Sequence, residues 1–219
     1  MLRLSRFGGN PNIGVYSTAN ESLAIISPDA SEDYIRDAEG TLGVSSLLTT
    51  VAGSFVVGSL VAMNSYCAVV SGLAEEAEIK KISAEMPVFA LHSKHNAAGN
   101  NILVNDFGAV VNPRIDDRNI KLIEKALGVK CVRSSVAGMD TVGSACRATN
   151  KGAVCHPLTT AEEAELIEST LNVEVRRTTL NHGSVLPAPC FIANSKGALV
   201  GDMTTPIETG RLEDALNLF

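Results

Sequence analysis

The sequence has no tryptophan, few aromatic residues and no long apolar run, and each absence excludes a class of protein. Aromatic residues make up 4% of the 219 residues, too few for a platform on which unpaired RNA bases could stack. No apolar run approaches the roughly 18 residues of a membrane-spanning helix. Residues 1–6 also lack the apolar stretch of a secretory signal. We therefore expect a globular protein of the cytoplasm.

The cysteines form no CxxC pair, and their number is odd. They are Cys67, Cys131, Cys146, Cys155 and Cys190. Most lie in apolar, strand-like runs, so we expect reduced thiols packed in the core. The Cys155-His156 pair lacks further ligands at a spacing suited to zinc, which argues against a metal site. The chain has neither a Walker-type loop nor a dinucleotide fingerprint, so no cofactor is expected.

What the sequence does contain is one unit repeated five times, with alanines 44, 41, 44 and 45 residues apart. These alanines open short apolar tetrads and are Ala24, Ala68, Ala109, Ala153 and Ala198. The residues ten positions earlier are Gly14, Gly58, Gly99, Gly143 and Ala188. The residues four positions earlier are Asn20, Asn64, Asn105, Thr149 and Asn194. Such a period indicates a repeat architecture, and we place the copies within one domain, residues 1–219, at about 12–53, 54–96, 97–140, 141–184 and 185–219.

Each copy is predicted to contain a strand, a second strand, a helix and a third strand. The first strand runs from the glycine column to the asparagine column, where Asn and Gly suit a tight turn. Helices are predicted near residues 31–42, 74–85, 116–127, 161–171 and 206–216. The returning strands are exemplified by residues 129–133 and 173–177.

The fifth copy ends directly after its helix, and residues 2–7 form a strand that no other copy uses. We infer that this strand completes the fifth unit and closes the array into a ring. Closure removes the unpaired strand edges that an open array would expose. An open solenoid would instead need polar capping repeats at its two ends, and none is evident. The expected fold is a closed five-fold α/β propeller.

Several motifs within this pattern resemble a known family. They are Ala98-Gly99-Asn100, Asn105-Asp106-Phe107, Thr141-Val142-Gly143-Ser144, His156-Pro157-Leu158 and Ile192-Ala193-Asn194-Ser195-Lys196-Gly197. Their order and spacing resemble the translation initiation factor 6 family of the archaeal type, which has the pentein fold. The resemblance implies a monomeric cytoplasmic factor that binds the joining surface of the large ribosomal subunit and keeps the small subunit from docking. In eukaryotes the relative also acts in maturation of the large subunit.

The net charge of −6 looks unsuited to an RNA-rich partner, but the charges are unevenly placed. The helical segments 29–39, 74–85, 116–125, 162–168 and 204–217 hold 19 acidic and 7 basic residues. The remainder holds 5 acidic and 11 basic residues. The strands and loops are therefore the better docking region. With so few aromatic residues, we expect a mainly protein-to-protein contact with modest salt dependence and no role for DNA.

The residues that follow the glycine column are the candidates for binding the ribosome. They are Val15, Ser59, Asn100, Ser144 and Pro189, and we expect them to form a ring at one end of the propeller. The family resemblance points to Asn100, and internal symmetry extends the assignment to Ser59 and Ser144. The alternative is that a polar residue after a turn glycine only caps the turn. We interpret the asparagine column as turn chemistry and not as a binding ring.

Two other classes of function remain open. Some penteins modify guanidino groups with a nucleophilic cysteine, a histidine and acidic residues, and this chain has Cys190 and four histidines. The histidines are predicted to lie in loops, and the repeats lack the long insertions that shape a pocket, so we expect no catalysis. A ring that assembles with itself would need an exposed apolar helix face, which the sequence does not predict.

Overall fold

A computed structural model describes residues Met1–Phe219 and shows five units in chain order, preceded by β1 (Leu2–Ser5). The first unit has β2 (Ser17–Ala19), β3 (Leu23–Ile26), α1 (Glu32–Leu42) and β4 (Ser45–Leu48). The second has α2 (Val57–Leu60), β5 (Val61–Met63), β6 (Ala68–Ser71), α3 (Glu76–Ser83) and β7 (Val88–Leu91). The third has α4 (Ala98–Asn101), β8 (Ile102–Val104), β9 (Ala109–Val111), α5 (Asp117–Leu127) and β10 (Cys131–Arg133). The fourth has α6 (Val142–Ala145), β11 (Cys146–Ala148), β12 (Ala153–Cys155), α7 (Ala161–Leu171) and β13 (Val175–Arg177). The fifth has β14 (Phe191–Ala193), β15 (Ala198–Gly201) and α8 (Pro206–Leu216).

Each unit forms its own three-stranded sheet. The middle strand pairs antiparallel with the inner strand and parallel with the outer strand. In the fifth unit the outer strand is β1, which pairs parallel with β15 from Leu2 opposite Ala198 to Ser5 opposite Gly201. The predicted closure by the N-terminal strand is confirmed. The pairing ends at Ser5, and Phe7 then bridges Asn10 in a tight turn instead of extending the strand.

The first strand of each unit is shorter than the sequence predicts, because the glycine column lies in a helical turn. Three units have the short helices α2, α4 and α6 at this point, and the other two have 3-10 turns at Ile13–Val15 and Ala188–Cys190. A methyl carbon on Gly99 would lie 2.1 Å from the carbonyl oxygen of Gly58. The glycines are therefore required by the close approach of neighbouring units and not by the start of a strand.

The long helices follow the predicted boundaries closely, because local capping sets them. Ala161–Leu171 and Pro206–Leu216 are found as predicted. The Thr160 side chain accepts a hydrogen bond from the Glu163 N–H at the start of α7, and Asn172 ends this helix in the left-handed conformation. Helix α3 is the exception: it spans only Glu76–Ser83 of the predicted 74–85.

The hydrophobic core consists of five clusters, each shared between neighbouring units. One cluster joins Val69 and Leu91 of the second unit to Ile102 and Ile123 of the third. The cluster at the closure joins Ile192 and Leu199 of the fifth unit to Ile26 and Leu42 of the first, among others. No unit buries its apolar residues alone, so the ring is stabilised as a whole.

The asparagine column makes the predicted turns and also links each unit to the next. Oδ1 of Asn64 accepts hydrogen bonds from the N–H groups of Tyr66 and Cys67, at 3.0 and 3.1 Å. Nδ2 of Asn64 donates to the carbonyl oxygens of Asn105 and Leu127 in the next unit, at 3.3 and 2.9 Å. The asparagines that donate across a unit boundary are Asn20, Asn64, Asn105 and Asn194.

The fourth unit lacks this link, because Thr149 has no amide group to donate. Its hydroxyl oxygen accepts a hydrogen bond from the Lys151 N–H and so keeps the turn. At this boundary the Asn217 side chain of the fifth unit donates to the carbonyl oxygen of Lys151, at 2.9 Å. The boundary between the fourth and fifth units is therefore built differently from the other four.

A buried glutamate fastens the loop before the short helix in several units. The Glu208 carboxylate accepts hydrogen bonds from the N–H groups of His182, Gly183 and Thr205 and from the Thr179 hydroxyl. Burial alone would raise the pKa of Glu208, but these hydrogen bonds outweigh it and lower the pKa to about 2 from an ordinary 4.5. The same arrangement occurs at Glu78 and Glu163, whose pKa values are also lowered.

The expectation of five reduced cysteines is wrong for two of them. Cys146 on β11 lies directly opposite Cys155 on β12 in the antiparallel register, with 4.1 Å between their Cα atoms, and the two form a disulfide. The other three are free thiols. Burial raises the pKa of Cys67 and Cys190 to about 11 and that of Cys131 to about 12, so these thiols remain protonated.

Candidate partner-binding surfaces

The structure brings the predicted binding residues together at one end of the ring. Each follows the glycine column, or Ala188 in the fifth unit, inside a short helix or 3-10 turn, and each is half-buried; they are Val15, Ser59, Asn100, Ser144 and Pro189. Each of these short segments contacts the next one around the ring, including the pair formed by Ile13–Val15 and Ala188–Cys190. We call this end, with the loops that lead into the short segments, the glycine end.

Asn100 lies in a polar hollow of about 350 Å³ between the third and fourth units. Lys94 and His95 from the preceding loop line it on one side, and Arg114 and Asp140 line it on the other. The Arg114 Nε atom lies 2.6 Å from the Asp140 carboxylate, so that arginine is already paired. Lys94 is exposed and takes part in none of the six ion pairs. The hollow therefore offers one free cation beside an amide side chain.

Exposed apolar side chains lie near the same end, where the middle strands finish. Leu73, Leu158 and Met203 occupy equivalent positions, five residues after the repeat alanines, and are 68%, 76% and 54% exposed. The equivalent residues of the other two units are the charged Asp29 and Arg114. The glycine end thus combines apolar and polar groups, as protein-binding surfaces do. Sequence reasoning missed these three residues, although their shared position in the repeat could have revealed them.

The opposite end, which we call the asparagine end, carries a hydrogen-bonded polar belt around the axis. Its members follow the asparagine column, or Thr149 in the fourth unit: Glu21, Ser65, Asp106, Asn150 and Ser195. The Ser65 hydroxyl donates to the Asp106 carboxylate at 2.7 Å, and Asn150 donates to the same carboxylate at 2.6 Å. The Ser195 hydroxyl donates to Glu21 at 2.8 Å. The two acids are therefore largely satisfied within the protein.

Between the two ends lies an axial cavity of about 40 Å³. The walls come from the inner strands and the glycine column, and apolar residues predominate. The one charged residue among the lining groups is Arg147 on β11. The sequence alone does not reveal this position, because composition shows Arg147 only as one of the basic residues outside the helices.

The surroundings of Cys190 do not activate its thiol. Burial raises the pKa of this thiol to about 11, and its Sγ lies 3.3 Å from the carbonyl oxygen of Leu186, to which it donates. His156 is buried, and its Nδ1 accepts a hydrogen bond from the Leu158 N–H. A protonated, buried thiol is a poor nucleophile.

No helix of the protein is both long and apolar enough to traverse a bilayer.

Five separate three-stranded sheets in a closed ring, each with its own long helix, define a class: the protein is a five-fold pseudosymmetric α/β propeller of the pentein type. The family profile described as "eIF-6 family" matches residues 2–215. The chain therefore belongs to the eIF-6 family, and the resemblance drawn from its motifs is confirmed.

Three curated relatives are named translation initiation factor 6. The protein from Methanosphaerula palustris is 41% identical over 214 residues, which cover 98% of this chain and 97% of the relative. That from Methanoculleus marisnigri is 39% identical and covers 94% of each chain. That from Methanocaldococcus jannaschii is 36% identical and covers 100% of this chain and 99% of its own. Together with the family, these names support a role as a translation initiation factor.

Proposed function

We propose that this protein binds the joining surface of the large ribosomal subunit through its glycine end and blocks association with the small subunit. The observation that carries the choice of surface is the polar hollow around Asn100, beside unpaired Lys94 and near exposed apolar side chains. Membership of the eIF-6 family supports the ribosome as the partner. The protein then acts in the cytoplasm as a monomer, by steric occlusion, so that its effect depends on concentration and affinity.

The distribution of ion pairs supports a contact that is mainly with ribosomal protein. Five basic residues outside the long helices already pair with acidic side chains: Arg3, Arg6, Arg114, Arg133 and Arg176. Their charges are less available to RNA phosphates than a count of basic residues suggests. Each phosphate contact contributes roughly 0.7 to 0.9 to the slope of log affinity against log salt. We expect a slope corresponding to fewer than about six contacts.

Sedimentation of purified ribosomal subunits tests the function. Adding the protein to joined ribosomes is expected to move material into the free-subunit peaks, with the protein migrating with the large subunit. Joined particles that persist at saturating protein would refute the proposal. Light scattering of the free protein checks that it acts as a monomer.

A pair of matched variants tests the surface separately. Asn100→Arg fills the hollow at the glycine end, and Ser22→Arg places the same side chain on an exposed site at the asparagine end. We expect Asn100→Arg to weaken large-subunit binding at least about tenfold, a loss of about 1.4 kcal/mol, while Ser22→Arg binds as the unmodified protein does. If the two variants bind equally well, the assignment of the glycine end is wrong, although the function can still hold.

The proposal includes the absence of catalysis. The buried, protonated Cys190 thiol argues against chemistry on guanidino groups. Incubation with arginine and arginine-like compounds is expected to leave them unchanged. Turnover that disappears in Cys190→Ser would overturn this part of the proposal.

A further inference from the structure

Arg147 presents an unusual electrostatic situation in the axial cavity. It lies on the inner strand β11, and the residues at the same position of the other four inner strands are neutral: Thr18, Ala62, Leu103 and Ile192. The guanidinium takes part in none of the six ion pairs. Its Nε atom is closed off from solvent and has no hydrogen-bond partner in the protein.

The arginine nevertheless keeps its charge at neutral pH. Burial lowers the pKa of Arg147 to about 10, partly offset by Tyr34. The side chain as a whole is half-buried, but a closed-off N–H donor without an acceptor costs about 1–3 kcal/mol, and proteins normally supply a partner for it. The carboxylates at the asparagine end do not pair with Arg147. Glu21 instead accepts a hydrogen bond from Ser195, and Asp106 accepts hydrogen bonds from Ser65 and Asn150.

The unit that carries Arg147 also differs from the other units at its boundary with the next unit. At the boundary between the fourth and fifth units, Ala188 replaces the glycine and Thr149 replaces the asparagine. The inner strands of the other four neighbouring pairs contact each other closely, whereas β11 and β14 make less contact. Three departures from the repeat thus occur at the unit that carries the only charged residue of the axial cavity, which indicates a specific site.

We propose that the Arg147 guanidinium holds a monovalent inorganic anion, of which chloride is the type, in the axial cavity. The cavity of about 40 Å³ exceeds the roughly 10–15 Å³ that a cavity needs to hold one water molecule, so a small ion fits. One arginine neutralises one negative charge, whereas a dianion such as sulfate would leave a net negative charge in the cavity. Thr18 lines the same cavity, and its hydroxyl can donate a further hydrogen bond.

Thermal unfolding at fixed pH and ionic strength tests the site, with sodium bromide or chloride compared against sodium methanesulfonate and sodium sulfate. A ligand that binds only the folded state raises its stability. We expect the midpoint to be about 3 °C higher in either halide than in methanesulfonate. Sulfate stabilises folded proteins in general, so its effect is compared with that on Arg147→Met in the same salt. The difference should vanish in Arg147→Met and persist in Arg176→Met, where an exposed arginine is removed instead. The Arg147→Met protein, which lacks the proposed site, gives the baseline for general salt effects.

A crystal grown in bromide provides a readout that needs no variant. Anomalous scattering is expected to show a peak within hydrogen-bond reach of the Arg147 guanidinium. Water alone in the cavity, together with a halide-to-methanesulfonate difference that is the same in Arg147→Met as in the unmodified protein, would overturn the proposal. A midpoint raised by sulfate but not by halides, and only in protein that retains Arg147, would likewise contradict the monovalent assignment.

Discussion

Replacing Glu208 by glutamine should destabilise the protein in a way that depends on pH. The carboxylate is 4% exposed and accepts hydrogen bonds from three backbone N–H groups and two hydroxyls. Its pKa falls from an ordinary 4.5 to about 2. At about 1.36 kcal/mol for each pKa unit, the ionised form contributes about 3 kcal/mol to folding. Glutamine loses that charge and also turns an N–H group towards other donors.

The pH window follows from the depressed pKa of Glu208. A carboxyl whose pKa is lower in the folded state stabilises the protein in full above its unfolded value, near 4.5. The contribution is roughly halved near pH 3 and is lost as the pH falls through the folded value of about 2. The difference between the two proteins should therefore be about 3 kcal/mol at pH 7 and shrink steadily below pH 4.5.

Urea unfolding followed by circular dichroism, repeated between pH 7 and pH 2.5, measures this difference. Glu165→Gln is the matched control, because Glu165 is exposed on α7 and the substitution removes the same charge. We expect that control to change the stability by less than about 0.5 kcal/mol at any of these pH values. A cost for Glu208→Gln below about 1 kcal/mol at pH 7, or one that does not change with pH, would refute the reasoning.

Two further predictions concern the links that close the ring. Asn64→Ala removes the amide that donates to the carbonyl oxygens of Asn105 and Leu127 and leaves those oxygens buried without a partner, so we expect it to lower the free energy of unfolding in urea by about 3 kcal/mol. The control Asn96→Ala should lower it by less than about 0.5 kcal/mol. Equal losses in the two variants would contradict the role of the asparagine column. Deleting residues 2–5 leaves β15 without its parallel partner, so we expect loss of the cooperative thermal transition and aggregation in light scattering. A truncated chain that melts at the original midpoint would show that the first strand is dispensable.

The elements that the sequence predicts well are those set by local chemistry. Helix α7 begins after Thr160 and ends before Asn172 because side chains next to the helix satisfy its ends. The closure of the ring by β1 was also predictable, since an unused strand and an incomplete unit complement each other. These features can be predicted because they depend on residues that are close together in the sequence or on the number of strands in each repeat.

The elements that the sequence predicts poorly depend on contacts between units. Gly99 looks like the start of a strand, yet its role is to let the carbonyl group of Gly58 approach. The Cys146–Cys155 pairing follows from the register of two neighbouring strands, which fixes which residues lie opposite each other. Arg147 could have been noticed as the one charge in a column of neutral residues. Its position in the cavity cannot be predicted from the sequence, because that position depends on how all five units curve into the ring.

The pairing of β1 with β15 also has a consequence for how the protein is made. The first strand leaves the ribosome at the start of synthesis, but its partner, Ala198–Gly201, is among the last segments to emerge. At about 5 to 20 residues per second, the first strand waits roughly 10 to 40 s for its partner. During that interval the nascent chain presents an unpaired strand and an open row of units, both prone to association with other chains. The ring of this protein therefore closes only when almost the whole chain has been made.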